Sequence, residues 1–185
     1  GNNPDQATAV ALDHSEIWTG EGNDSIHIDA FSSGDTSFAY GLLDSLIHTG
    51  TGHDSLSIHV STNNNNNWDP SFGAQDSLIY LGDGNDSFDI HANANGSGSL
   101  EAYGLKNSVV DSGSGNDSIS IHASASGNWW NGNNADQATA VALDHSQLWT
   151  GEGNDSIHIS AYVSGDEWKS GSLNTYGVKN SFVDS

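Results

Sequence analysis

GEGNDSIHI, at residues 20–28, is the most informative segment of the chain, because it joins a glycine turn to an alternating strand and recurs along the chain. Its core, Gly-x-Gly-[Asn/His]-Asp-Ser, occurs five times, at intervals of 30, 32, 31 and 38 residues. The five copies occupy residues 20–25, 50–55, 82–87, 113–118 and 151–156. Similar sequence at a nearly fixed period of this length is typical of solenoids, in which each repeat forms one stacked unit.

The residues that follow each turn alternate between apolar and polar. Large apolar residues fall two and four positions after the motif aspartate, as Ile26 and Ile28 do after Asp24, with Ser, His or Asp between them. This period of two predicts a strand with one buried face. Two further short apolar segments precede each turn, so each repeat is expected to hold three short strands.

The pattern therefore predicts an all-β fold, a parallel three-sided β-solenoid of about six stacked coils. Because stacked strands lie about 4.8 Å apart, equivalent isoleucines should form one internal ladder. That ladder would contain Ile28, Ile58, Ile90, Ile121 and Ile159. An acidic chain with few apolar residues could instead be disordered, but disordered sequence has no reason to keep isoleucine in register.

The short repeats are themselves arranged in a longer repeat. DQATAVALDHSEIWTGEGNDSIHI at 5–28 returns almost unchanged at 136–159, an offset of 131 residues. A partial coil at 173–185 parallels residues 100–112. We therefore expect residues 1–185 to be a single repeat-array domain and a fragment of a longer array. Differences in repeat length fall after the third strand, which predicts projecting loops at 29–37, 61–71, 93–98, 124–134 and 161–171.

The composition excludes several classes of partner. Against 24 Asp and Glu stand only 3 Lys and Arg, giving a formal charge of −21, so nucleic acid, which needs a basic surface, is not expected to bind. No run approaches the roughly 18 to 20 apolar residues of a membrane span. The chain has no cysteine, so it has neither disulfides nor thiolate metal sites.

At the glycine turns the sequence resembles the RTX (hemolysin-type) calcium-binding repeat family, whose nonapeptide reads Gly-Gly-x-Gly-x-Asp-x-apolar-x. GEGNDSIHI at 20–28 and GSGNDSISI at 113–121 carry the resemblance. It implies calcium held by glycine carbonyls and aspartate carboxylates shared between adjacent coils. The implied ligands are Gly20, Gly22, Asp24, Gly50, Gly52, Asp54, Gly82, Gly84, Asp86, Gly113, Gly115, Asp117, Gly151, Gly153 and Asp155.

This chain departs from the family in two respects. The first family glycine is replaced by Thr19, Thr49, Leu81, Ser112 and Thr150. Each coil of roughly 31 residues also contains one nonapeptide instead of a tandem run, so calcium would line one corner of the solenoid.

Physical chemistry supports a calcium role independently of the resemblance. Stacking would place the five motif aspartates in a column about 4.8 Å apart, where adjacent charges repel by about 1 kcal/mol in water and more in a protein. Calcium takes six to eight hard oxygen ligands, and glycine lets backbone carbonyls converge on an ion. The alternative is that Gly-x-Gly-Asn-Asp forms only a tight turn, stabilised by Asx hydrogen bonds.

Two further columns are predicted from the repeat. The residues before the middle strand are expected to form a ladder of side-chain hydrogen bonds and not a metal site: His14, Asp44, Asp76, Asn107, His145 and Asn180. The histidines His27, His59, His91, His122 and His158 should point outward beside the third strand. Imidazole suits zinc, copper or nickel, but two different offsets from the aspartate should break a single column, which favours solvated surface histidines.

Four tryptophans lie in the predicted loops: Trp68, Trp129, Trp130 and Trp168. They either fold back over a coil edge or bind glycan, because exposed aromatic rings stack on sugars while neighbouring amides hydrogen-bond to hydroxyls.

Every acidic or histidine feature recurs from coil to coil, whereas a catalytic site is a single constellation in a cleft. We therefore predict that the chain is not an enzyme. The favoured function is a calcium-stabilised structural segment of a secreted or cell-surface filament, sheath, surface layer or giant adhesin, which could also contact copies of itself. A glycan-binding adhesion module and a repeat appendage of a secreted enzyme or toxin remain alternatives.

Overall fold

The computed structural model describes residues 6–64, 68–127, 137–165 and 172–185, and in these residues the secondary structure is β throughout. The strands in chain order are β1 (Gln6–Asp13), β2 (Glu16–Glu21), β3 (Ser25–Gly34), β4 (Thr36–Leu43), β5 (Leu46–Thr51), β6 (Ser55–Asn64), β7 (Asp69–Gln75), β8 (Leu78–Asp83), β9 (Ser87–Gly96), β10 (Leu100–Lys106), β11 (Val109–Asp111), β12 (Ser118–Gly127), β13 (Gln137–Asp144), β14 (Gln147–Trp149), β15 (Ser156–Gly165), β16 (Ser172–Lys179) and β17 (Phe182–Asp184).

These strands form three parallel sheets, and each strand pairs with the strand three positions along the chain. The first sheet has the order β1-β4-β7-β10-β13-β16, the second β17-β14-β11-β8-β5-β2, and the third β15-β12-β9-β6-β3. The chain is therefore a three-sided β-solenoid of five complete coils, with β16 and β17 beginning a sixth, as the sequence predicted. No helix long and apolar enough to cross a membrane occurs in the parts of the chain that the structure describes.

The predicted isoleucine ladder is confirmed. Ile28 pairs with Ile58, Ile58 with Ile90, Ile90 with Ile121, and Ile121 with Ile159 in the third sheet. A second inward column two residues earlier includes Leu56, Phe88 and Ile119, all fully buried. One coil could not bury these side chains alone, but stacking covers each one from both sides.

The third strand of each coil is longer than predicted. Residues 29–34, 61–64, 93–96, 124–127 and 161–165, expected to be loop, continue the strands β3, β6, β9, β12 and β15. The reason is a second, narrower core: Ala94, Ala123 and Ala125 are fully buried and pack with Ala102 and Ala138 of the first sheet. Small residues let two sheets approach closely, so alternation continues where large apolar residues stop. The length differences between coils still fall at this one corner, between the third strand and the next first strand.

The turn between the first and second strands contains one residue in the left-handed region. His14, Asp44, Asp76, Asn107, His145 and Asn180 have φ between 46° and 51°. Asn and Asp tolerate this conformation better than most residues do. Side-chain hydrogen bonds along this column join Asn107 to Asp76 at 3.0 Å and Asn180 to His145 at 3.4 Å.

The continuous ladder at this turn is carried by the next residue, a serine. The backbone N–H of Ser45 donates to Ser77 Oγ at 3.1 Å, and Ser77 N–H donates to Ser108 Oγ at 3.1 Å. Each hydroxyl in turn donates to a carbonyl two residues earlier, as Ser77 Oγ does to Gln75 at 2.7 Å. The same coil-to-coil bond joins Ser15 to Ser45, Ser108 to Ser146 and Ser146 to Ser181. The sequence predicted this ladder one residue earlier, although serine is invariant in the six turns.

Candidate acidic column at the glycine turn

The glycine turns bring the motif aspartates into one column that runs parallel to the solenoid axis. Asp54, Asp86 and Asp117 are each 2% exposed, while Asp24 and Asp155 in the outer coils are partly buried. Three consecutive carboxyl groups thus lie inside the protein, one per coil. A buried carboxylate requires hydrogen bonds, a cation or a proton, because removal from water disfavours its charge.

One oxygen of each carboxyl group holds two coils together. Asp54 Oδ1 accepts the backbone N–H of Asp24 at 2.8 Å, and Asp86 Oδ1 accepts that of Asp54 at 2.8 Å. The series continues from Asp86 to Asp117 and from Asp117 to Asp155, each at 2.9 Å. These bonds explain why the position needs a side-chain oxygen even without a metal, since Oδ1 caps a backbone donor of the preceding coil.

The second oxygen of the same carboxyl groups is buried without a hydrogen-bond partner. This holds for Oδ2 of Asp24, Asp54, Asp86 and Asp117. An unsatisfied buried oxygen costs about 1–3 kcal/mol, and more when it is charged. Four such atoms at successive coil interfaces therefore mark a regular row of positions where a cation or a proton would stabilise the fold.

The glycines stack in two further columns beside the aspartates. A Cβ on Gly50 would lie 2.0 Å from the carbonyl oxygen of Gly20, and a Cβ on Gly84 would lie 1.5 Å from that of Gly52. A Cβ on Gly84 would also lie 3.2 Å from Asp86 Oδ1, so the second glycine of the motif lies against the carboxyl group. Glycine is thus required because the backbone of the neighbouring coil occupies the space of a side chain.

The turn carbonyls already serve the stacking of coils. Gly82 carbonyl oxygen accepts the N–H of Ser114 at 3.0 Å, and the Asp83 carbonyl accepts the N–H of Gly52 at 2.8 Å. A carbonyl oxygen has two lone pairs, so one hydrogen bond leaves a second acceptor position. The glycine carbonyls and aspartates of the implied ligand set are brought together at one corner, where the aspartate Oδ2 atoms are side-chain acceptors without a hydrogen-bond partner.

The residue between the second glycine and the aspartate forms another ladder, which was not predicted from the sequence. Asn23 Oδ1 accepts the N–H of His53, and His53 Nδ1 accepts the N–H of Asn85, both at 2.8 Å. Asn85 Oδ1 and Asn116 Oδ1 continue the series to the next coils at 2.8 Å. The sequence signal for this ladder is that the motif position is always Asn or His. Both side chains have a hydrogen-bond acceptor at a similar distance from the backbone.

The aspartates of the column fit a hard divalent cation such as calcium, because their buried Oδ2 atoms lack hydrogen-bond partners. In the same structure, burial raises the pKa of Asp86 above its usual value, since desolvation disfavours the charged form, and the neighbouring Asp117 and Asp54 act in the same direction. The hydrogen bond from Asp54 N–H opposes this shift. A bare carboxylate at Asp86, in the middle of the column, is therefore electrostatically unfavourable at neutral pH.

We expect Asp86→Asn to stabilise the metal-free protein at neutral pH by about 1 kcal/mol, because a neutral amide replaces a buried charge while its oxygen can still accept the Asp54 N–H. Because the pKa of Asp86 in the folded protein is raised above the usual 3.8, folding favours the protonated carboxyl group. Asp86 therefore contributes most to stability below pH 3.8, and this contribution is lost as the pH rises through the folded-state pKa. The variant should lack this dependence. Urea unfolding in EDTA, at neutral and acidic pH, measures both effects.

Asp83→Asn is the matched control, because Asp83 lies in the same turn and carries the same charge but is exposed. It should change stability by less than about 0.5 kcal/mol at any pH. His122, whose pKa burial lowers, is unchanged in both variants and cancels in the comparison. A pH dependence equal in Asp86→Asn and in the unmodified chain would contradict the assignment.

The histidines fall in two neighbouring outward columns of the third sheet. His59, His91 and His122 are directly paired in register, with ring centroids 5.1 and 5.4 Å apart. His27 and His158 lie in the column two residues earlier, which also contains Asp89. The five histidines therefore do not form a single column, as the two offsets predicted, but His59, His91 and His122 form an unbroken one.

Of the four loop tryptophans, Trp68 lies in the described part of the chain. Its ring meets Phe38 edge-on, with centroids 5.4 Å apart, and the residue remains 47% exposed. It therefore folds against the coil edge and still presents an aromatic surface. Trp129, Trp130 and Trp168 lie outside the described residues.

Comparison with known proteins found no matching family model, no matching curated protein and no matching solved structure.

Proposed function

We propose that this chain is a calcium-stabilised structural segment of a secreted or cell-surface assembly, such as a filament, a sheath, a surface layer or a giant adhesin. The observation that carries the proposal is the row of buried, unpartnered Oδ2 atoms, which repeats at successive coil interfaces of a uniform solenoid. Calcium between coils would supply the missing partner for each oxygen and offset the repulsion between stacked carboxylates.

The uniform stacking supports a structural role over a catalytic one. Equivalent residues of successive coils pair at the same register in all three sheets, as the isoleucine ladder does in the third. Acidic and histidine groups accordingly recur in rows, whereas catalysis requires one acid, base or nucleophile in a distinct environment. A rod that repeats its interface can extend by adding coils, each contacting only its neighbours.

An extracellular location follows from the kind of calcium site proposed. The ligands would be neutral carbonyls and one carboxylate per coil, and Oδ1 of that carboxylate already accepts a backbone hydrogen bond. Sites with few charged ligands bind calcium weakly, as in extracellular modules with Kd of about 10⁻⁴–10⁻³ M. Such sites fill outside the cell, so calcium would stabilise the array after export.

We expect millimolar calcium to raise the melting temperature relative to EDTA. At 1 mM calcium and a Kd of about 10⁻⁴–10⁻³ M, binding contributes about 0.4–1.4 kcal/mol per site, which corresponds to a rise in melting temperature of about 1–6 °C per site for a chain of this length. Magnesium should have a smaller effect, because it demands near-ideal octahedral geometry and dehydrates reluctantly. Far-UV circular dichroism during heating, in EDTA, calcium and magnesium, makes the measurement.

Asp86→Asn and Asp83→Asn serve as paired variants in the same experiment. Asp86→Asn should reduce the calcium-dependent rise, since it replaces one buried carboxylate in the row, while Asp83→Asn should not. Identical melting in EDTA and calcium would overturn the calcium part of the proposal. The Oδ1 and Asn ladders would then be sufficient to hold the turns together.

A further inference from the structure

The outward face of the third sheet carries a compact group of histidines and aspartates. One outward column contains Asp29, His59, His91, His122 and Ser160, and the neighbouring column contains His27, Ser57, Asp89, Ser120 and His158. Side chains two residues apart on a strand point to the same side, so the two columns face solvent together. The acidic column of the glycine turns lies elsewhere, buried at the corner before this sheet.

At the centre of this face, one carboxylate lies between two imidazoles. Asp89 Oδ2 is 3.2 Å from His91 Nε2 and 3.8 Å from His59 Nε2. The two rings stack with an interplanar angle of 15°. One ligand atom from each of the three residues lies within 4.8 Å of the others. All three side chains are partly exposed, at 33–44%, so an ion can reach them from solvent.

We propose that His59, Asp89 and His91 bind one transition-metal ion of the zinc class on the outside of the solenoid, bridging β6 and β9. Zinc bonds of 2.0–2.2 Å to nitrogen and oxygen in a tetrahedron place ligand atoms about 3.3 Å apart. The Asp89–His91 pair already has this separation. The Asp89–His59 distance must shorten by about 0.5 Å, and the two histidine nitrogens, which lie within 4.8 Å of each other, must also approach. Rotation of the partly exposed side chains can supply both movements. Water would complete the coordination.

The hydrogen bonding of His59 supports the same assignment. Ser57 Oγ lies 3.3 Å from His59 Nδ1, and Asp29 Oδ1 approaches that nitrogen at 4.0 Å. A proton on Nδ1 satisfies these oxygens and leaves the lone pair of Nε2 facing Asp89. Metal-binding histidines are commonly oriented by such an acceptor on the second nitrogen, which fixes the tautomer.

The donor set distinguishes this site from the acidic column. Two imidazoles and one carboxylate suit zinc, copper or nickel, whereas calcium prefers oxygen ligands alone. The two groups of residues should therefore take up different ions, and loading one should not require the other. The inference consequently stands whether or not the glycine turns bind calcium.

Calorimetric titration of Zn²⁺ into the intact chain tests the proposal, in a slightly alkaline buffer that keeps imidazole neutral and contains excess calcium. We expect one tight equivalent of zinc. His91→Gln and Asp89→Asn should each weaken binding by at least about tenfold, because each removes a direct ligand. His158→Gln, a histidine on the same outward face outside the triad, should leave the affinity unchanged.

A second measurement locates the ion independently of affinity. Zinc should shift the imidazole NMR signals of His59 and His91 at one equivalent while those of His158 stay in place. Circular dichroism of each variant shows whether the exposed substitutions leave the solenoid folded. Absence of zinc uptake, uptake unchanged by His91→Gln, or uptake abolished by His158→Gln would each overturn the site.

Discussion

Gly84→Ala is expected to lower stability by more than about 4 kcal/mol, the largest effect of any single substitution considered for this chain. The added Cβ would lie 1.5 Å from the carbonyl oxygen of Gly52 and 2.6 Å from its carbonyl carbon, so the two coils must separate. Gly84 also has φ of +150°, a conformation that residues with a side chain rarely adopt. Separation of the coils would break the hydrogen bonds that join β6 to β9 and would increase the distance between Asp54 and Asp86 in the aspartate column.

Gly22→Ala separates steric overlap from backbone strain. Gly22 has φ of +117°, but a Cβ at this position would meet nothing within 4 Å, because it would point away from the coil that follows. Its expected cost is therefore the strain alone, about 1–3 kcal/mol. Urea unfolding followed by circular dichroism compares the variants, and hydrogen exchange in β6 and β9 localises the damage. Equal losses for Gly22→Ala and Gly84→Ala would show that close coil contact is not what requires glycine.

Phe88→Ala is expected to cost about 3–5 kcal/mol, because it deletes the largest fully buried side chain of the core. Phe88 lies in the inward column between Leu56 and Ile119, and a cavity there weakens the contacts with both neighbouring coils. Solenoid stability is a sum of coil and interface contributions, so damage at one coil can uncouple the two halves. The unfolding curve should accordingly shift to lower urea and broaden or divide into two transitions.

Phe31→Ala is the matched deletion on the outward face. Phe31 also lies in the third sheet but is 63% exposed, so its removal should change stability by less than about 0.5 kcal/mol. Urea unfolding of both variants gives the comparison directly. A loss of similar size in the two proteins would mean that the ladder of large inward residues is not the main source of stability.

The two substitutions probe different requirements of the same stack. Phe88 contributes apolar area that only adjacent coils can bury, whereas Gly84 contributes the absence of a side chain where two backbones meet. Both requirements recur in each coil, which explains why the motif couples glycines to an alternating strand three residues later.

The architecture could be predicted from the amino-acid pattern alone, because the pattern that specifies it is periodic and local. The alternation after Asp24 and its equivalents specifies which side of the strand is buried, and the recurring motif specifies the coil length. Together they were sufficient to predict three parallel sheets, the register of the isoleucine ladder and the alignment of the aspartates. The extent of the third strands was missed because small residues such as Ala94 and Ala125 carry a weak apolar signal.

The hydrogen bonding of each polar group could be learned only from the tertiary structure, because hydrogen bonds between coils join residues at least 29 positions apart. The sequence could not show that Asp86 Oδ1 is occupied by a backbone donor while Oδ2 is buried without one. Counting from each aspartate could have placed His59 and His91 in one column. Asp89 lies in the neighbouring column, so the distances from both histidines to Asp89 depend on the side-chain rotamers. Those rotamers are determined by packing in the folded protein.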